Sequence, residues 1–326
     1  MSNQDWHWQP ETPLTNNPLF EWPFNLGRIF LWYGAMWLKV SEVNLMLAVA
    51  IISWLYLTPE LAQFESLNLE VISAMFARNL SITVLVAGGL YLFFNVYKKQ
   101  GNLLQYDTTQ LGNQKRFTFN SQLLDNMFWT LVSGVSLWTA YEVLLFWGFA
   151  NGYAPSLVWS DNEVWFCTIF FAIFMWESLH FYAVHRFLHW PTLYKYVHAL
   201  HHRSINPISW TGISMHPVEH LLYFSSVLVH FFVPTHPIHV LFHMLAMTIG
   251  AMIGHTGFDG FFINNKNRVA LGHFHHQLHH RYFECNYGTI ELPCDVWFDS
   301  FHDGTQEATE RMRAKQKEKI IAKAPM

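Results

Sequence analysis

Four apolar runs punctuate the chain, from about Val40 to Leu57, Leu80 to Tyr97, Phe128 to Ala150 and Val164 to Val184. Each is long enough, or nearly so, to cross a bilayer, which takes about 20 residues. The stretch from Arg28 to Lys39 ahead of them reads as an amphipathic helix lying in the membrane interface. Two shorter runs, Leu221 to Val233 and Ile238 to Ile253, are joined by Pro234 and Pro237. Their length suits a re-entrant hairpin or a half-buried pair better than two full crossings. From Gln306 to Lys323, Glu alternates with Lys and Arg at helical spacing, the pattern of a solvated surface helix. The pattern predicts an all-α integral membrane protein: four transmembrane helices, a short apolar hairpin and a helical cap. Its expected divisions are an N-terminal segment over 1–39, a membrane stem over 40–184, a histidine-rich cap over 185–305 with the hairpin at 221–253, and a charged tail over 306–326.

Charge gives the orientation. The connections Thr58 to Glu70 and Asn151 to Glu163 carry acids and no Lys or Arg, whereas Lys98, Lys99, Lys115 and Arg116 lie between the second and third runs. Arg28 and Lys39 precede the first run, and Arg186 and Lys195 follow the fourth. Positive charge therefore alternates with each crossing, which predicts cytoplasmic termini and a cytoplasmic cap. Arg78 sits at the outer end of the second run and is expected to snorkel to the interface. Composition agrees with a lipid setting. The chain is 52% hydrophobic and only 13% charged, against roughly 25% charged in soluble domains. A net charge of −4 gives no footprint for nucleic acid. Three cysteines at Cys167, Cys285 and Cys294 match neither a disulfide framework nor a zinc motif. The polar stretch Met1 to Glu21, free of Lys and Arg, does not read as a secretory signal.

Histidine is the outlier. Of 20, all but His7 fall between His180 and His302. Three groups stand out: His185-Arg-Phe-Leu-His189, His198-Ala-Leu-His201-His202 and His276-Gln-Leu-His279-His280. Positions i, i+3 and i+4 share one helical face, so these eight imidazoles can converge from three helices on a common centre. Neutral imidazole suits iron, zinc, copper and nickel. His255 ends the second half of the hairpin, where a polar ring is a functional candidate by default. His216 precedes Pro217 and so sits at a helix start, a further candidate ligand. His220, one turn on, is expected to be structural or to support a ligand, as are His273 and His275. His239 and His243 read as packing residues, while Glu177 and His180, inside the fourth span, are expected to pair with each other or with the site.

These motifs resemble the fatty acid hydroxylase and sterol desaturase superfamily over about His180 to Thr305. The first two clusters, and the segment His279-His280-Arg-Tyr-Phe-Glu-Cys-Asn-Tyr-Gly288, look like the sterol C5-desaturase branch; His255-Thr-Gly-Phe-Asp259 is similar to the methylsterol monooxygenase counterpart. The resemblance implies a centre of two iron ions ligated by His185, His189, His198, His201, His202, His276, His279 and His280, with His255 beside them. Relatives resembling H-x3-H carry a second histidine where this chain has Asp259, so either Asp259 or His216 stands as the tenth ligand. It further implies dioxygen as co-substrate, a membrane lipid as substrate, and a separate electron-transfer protein, ferredoxin- or cytochrome b5-like with its reductase.

The expected reaction is hydroxylation or desaturation of a lipid C–H bond by an oxidoreductase of monooxygenase type. Histidine-only sites also accept zinc, so purified protein can carry zinc instead. Two rival classes make different demands. A membrane zinc hydrolase needs a general base such as the Glu of H-E-x-x-H, which is absent. A haem-carrying electron-transfer protein needs histidines paired across spans near mid-bilayer, whereas these crowd beyond the end of the fourth span.

Overall fold

The computed structural model describes residues 6–263, 267–271 and 273–323; the outermost residues of the two terminal segments lie outside this set. Among the described residues, the regular structure is helical apart from one antiparallel two-stranded ribbon. In chain order, α1 is Leu26–Trp37, α2 Glu42–Leu57, α3 Leu69–Val96, α4 Gln122–Ala150 and α5 Glu163–Leu188. A short helical segment over 191–202, α6, follows directly, then α7 Pro217–Phe224 and α8 Pro237–Gly254. Strands β1 Gly260–Ile263 and β2 Asn267–Ala270 pair in register Gly260 to Ala270. The chain ends with α9 Phe274–Tyr282, α10 Cys294–Trp297 and α11 Gln306–Lys323.

α3, α4, α5 and α8 are each long and apolar enough to cross a membrane, and α1 with α2 forms a pair bent by 44°. The most apolar window of α3 is 22% buried within the protein and that of α5 17%, so both turn most of their surface outward, as lipid-facing helices do. α8 is the opposite at 83%. It packs chiefly on α2 and also against α4 and α5. The expected hairpin is thus asymmetric: its first arm is α7 followed by a 3-10 turn Ser225–Phe231, and its second is one unbroken helix sheathed by the bundle.

Helices α3 and α5 extend past their apolar runs in ways that bear on the site. α3 begins at Leu69, where the Asn68 side chain accepts from Val71 N. It therefore takes in Arg78, which is only 6% exposed. Arg78 does not snorkel. It pairs with the Glu142 carboxylate on α4, donates to Thr58 Oγ1 at 2.8 Å, and shares Asn79, whose amide donates to the same carboxylate. An arginine with that many acceptors is held inside the bundle because lipid offers none. α5 runs four residues past the end of its apolar run, so the expected boundary at 184/185 falls inside a continuous helix. His185 consequently inherits the rigidity of the span.

Candidate metal centre

The C-terminal turn of α5, α6 and α9 bring their histidines together with His255, which caps α8. Nine imidazoles form two groups: His185, His189, His198, His202 and His279 in one, and His201, His255, His276 and His280 in the other. Within each group the ligating nitrogens lie within 4.8 Å of one another. The groups adjoin, with the His202 and His280 rings 5.0 Å apart. Consecutive residues on a helix point about 100° apart, and this divides the clusters. His201 and His202 part into different groups, as do His279 and His280, while His198 and His202, one turn apart, stay together.

The hydrogen bonds fix which nitrogen faces inward. His185 Nδ1 donates to Tyr287 O at 2.7 Å, His279 Nδ1 to Cys285 O at 2.6 Å and His255 Nδ1 to Ala251 O at 2.7 Å. A neutral imidazole that donates from Nδ1 carries a bare lone pair on Nε2. Those lone pairs face other Nε2 atoms: His185 to His198 at 3.1 Å, His279 to His202 at 3.0 Å, and His255 to His276 at 3.1 Å and His280 at 3.0 Å. Neutral rings can bridge such contacts only while the second ring keeps its proton on Nε2, and protonating them further would place like charges side by side. Burial first, then neighbouring imidazoles, holds His276, His279 and His280 well below the usual histidine range. The same causes push His201 down to about 3. Converging neutral imidazoles, able to turn a lone pair toward a common point, fit divalent transition-metal ions, one beside each group.

Supporting contacts hold the rings in place. The loop that supplies the Cys285 and Tyr287 carbonyls is clamped by Asp295, which accepts from Tyr287 N and Gly288 N at 2.8 Å each, and by Asn286, which donates to His275 O and His302 O. After His255, the chain reverses through Gly257 at φ +78°, a conformation suited to glycine. Gly212 lets the turn before α7 lie against α8: a Cβ there would stand 2.5 Å from the Ala251 backbone.

His216 is not part of either group. It caps α7, its Nδ1 accepting from Val218 N at 3.2 Å, and its ring lies 6.4 Å from that of Trp129. The expectation of ligation from a helix-start histidine thus finds a cap instead. Asp259 is also outside both groups and accepts from Tyr106 OH at 2.8 Å. Glu177 and His180 do not bond each other: His180 bonds Ser225 Oγ at 3.0 Å, and Glu177 lines one cavity with His185. His239 bonds Phe166 O, His243 bonds Ser226 and His230, and His220 lies between Ser133 and Ile213 O. The residue that sequence reasoning missed is Glu219. It is 2% exposed, and its Oε1 lies 2.7 Å from His198 Nδ1. Burial drives both groups toward their neutral forms, so without a cation this is a neutral hydrogen bond. A cation at His198 Nε2 would fix the proton on Nδ1 and favour the carboxylate. The available signal was an acid in the first turn of a Pro-started helix.

One cavity reaches this centre. It is lined by His185, His198, His201, His255 and His276 on one part of its wall and by apolar groups of α2, α5 and α8 elsewhere.

Residues 170–300 match the fatty acid hydroxylase family. A Delta(7)-sterol 5(6)-desaturase of Gibberella zeae is 37% identical over 138 residues, 41% of this chain and 41% of that protein. Another from Aspergillus fumigatus is 26% identical over 272 residues, 72% of this chain and 81% of its own length. A fatty acid hydroxylase of Mycosarcoma maydis is 35% identical over 120 residues, 36% of this chain and 29% of that protein. The chain thus covers well under two thirds of the first and last of these relatives. No solved structure matches. The segment 170–300, which resembles the fatty acid hydroxylase family, contains all nine converging histidines.

Proposed function

We propose that the protein is a dioxygen-dependent membrane oxidoreductase that hydroxylates or desaturates a C–H bond of a lipid at a centre of two iron ions. The observation that carries this reading is the pair of adjoining imidazole groups opening on an apolar cavity at the end of a membrane span. His185, His189, His198, His202 and His279 would hold one ion, and His201, His255, His276 and His280 the other. Bound iron supplies the oxidising power that no side chain here has. The chain does the rest. Carbonyls of Cys285, Tyr287 and Ala251 set the tautomers of their imidazoles, and Glu219 holds His198. Phe174, Phe181 and Met46 exclude water and present hydrocarbon to the histidine wall.

The sign alternation of the loops supports termini and a centre on the cytoplasmic side, where a separate one-electron carrier with its reductase would have access. Sterol desaturases and a fatty acid hydroxylase among the relatives support a lipid as substrate. The test is lipid mass spectrometry on membranes with and without the protein, supplied with dioxygen and reductant. The expected product gains one oxygen atom or loses two hydrogens, and His201→Ala and His279→Ala abolish it. Product formation that persists in both variants, or without dioxygen, contradicts the reading.

A further inference from the structure

The stripe of α5 that faces the cavity runs Glu177, Phe181, Val184, His185 and Leu188, the i, i+4, i+7, i+8, i+11 spacing of one helical face. Glu177 lies two turns before His185, about 12 Å along the axis at 1.5 Å per residue. It is a carboxyl inside a membrane span with no hydrogen-bond partner among the described residues. An ionisable group in that position marks a substrate path or needs a partner. Glu42 and Glu291 line the same cavity, and His273 stands 3.4 Å from Glu42. Glu42 also has one buried carboxylate oxygen without a partner. Facing them, α8 offers Ala246, Gly250 and Gly254, and at Gly250 a Cβ would meet only Met46 Sδ, at 4.0 Å. The cavity wall is therefore largely apolar, with the imidazoles of the centre and these hydrogen-bond acceptors set into it.

We infer that Glu177, with Glu42 and Glu291, anchors the polar head of the lipid, and that this head is a hydrogen-bond donor, a hydroxyl or an ammonium. This rests on the reading of the cavity as the lipid site of the oxidation centre. Glu42 and Glu291 outnumber the one imidazole beside them, His273, and repel a carboxylate or phosphate head in a low-dielectric pocket, while the Glu177 carboxyl offers an acceptor oxygen. A donor satisfies them. The apolar body then lies along Phe181 and Val184 with a carbon at the histidine wall.

Binding of tritiated lipids to the full chain in nanodiscs tests this, without dioxygen or reductant. The probes are a long-chain alcohol, the amine of the same length, the methyl ether and the fatty acid. The alcohol, the amine or both are expected to bind at least about tenfold tighter than ether or acid, the worth of a charge-assisted hydrogen bond. Whichever donor binds tighter identifies the source of the head. Glu177→Leu is expected to erase the preference while metal content and thermal midpoint hold. An ether or acid that binds within about threefold of the best donor overturns the inference, and this comparison needs no variant. So does a preference that survives in Glu177→Leu. Loss of turnover with the preference intact would instead count against the proposed reaction alone.

Discussion

At the scale of single residues, the centre depends on groups that fix where protons sit. Glu219 is the plainest case: a buried carboxyl, 2.7 Å from His198 Nδ1, aimed at an imidazole whose other nitrogen joins four more. A carboxylate there makes the ring a stronger donor and holds its orientation. Losing such an outer partner typically weakens metal binding by about 10- to 100-fold. Glu219→Gln is accordingly expected to lower metal affinity by that order in a competitive chelator titration. It should leave the thermal midpoint of the metal-free protein near that of wild type. Unchanged affinity would mean that the contact is packing only. His216 teaches the converse. Its position before Pro217 was legible, and the helix start it implied is real, but the ring's lone pair is taken by Val218 N. Sequence spacing places a ring at a helix end and does not say which hydrogen bond claims it.

At the scale of elements, the helices that hydropathy finds are those whose polar residues are few. The third and fourth apolar runs lie within α4 and α5. α3 was legible only in its second half, because Glu70, Arg78 and Asn79 break the apolar run, and nothing local reveals that Glu142, 64 residues on, neutralises Arg78. The same limit applies at the centre. The i, i+3, i+4 clusters exposed eight ligand candidates, and His255 followed from its place at the end of the hairpin. The division into two groups and the carbonyls that orient the rings depend on how α5, α6, α8 and α9 meet. The buried Arg78–Glu142 pair gives an element-scale prediction. Removing one partner leaves the other charge stranded, so Arg78→Leu or Glu142→Leu singly should cost roughly 3–5 kcal/mol. The double replacement should recover most of that. Unfolding of the three variants in detergent measures it, and additive losses would show that the pair is not coupled.

At the scale of the whole molecule, burying so many imidazoles ties folding to pH and to metal. His201 and His255 are each pushed down to about 3, by burial first and neighbouring imidazoles after it, and His276, His279 and His280 lie well below the ordinary range. In the unfolded chain these rings take up protons near pH 6.5. The folded protein binds fewer protons below that value, so its stability is full above about pH 6.5 and falls as the pH drops toward 3. The thermal midpoint of the metal-free protein should therefore fall steeply between pH 7 and pH 5. A flat profile across that range would show that the rings are not held neutral. Metal binding should raise the midpoint at neutral pH, since an ion that binds only the folded chain stabilises it. Each of the two adjoining groups offers at least four nitrogen donors that could hold an ion of its own. The most direct test is metal analysis with Mössbauer spectroscopy on protein purified without oxygen and reconstituted with iron. The account predicts about two iron ions per chain, coupled to one another. His202→Ala and His280→Ala should each weaken a different ion. One ion per chain, or two that remain in both variants, would contradict it.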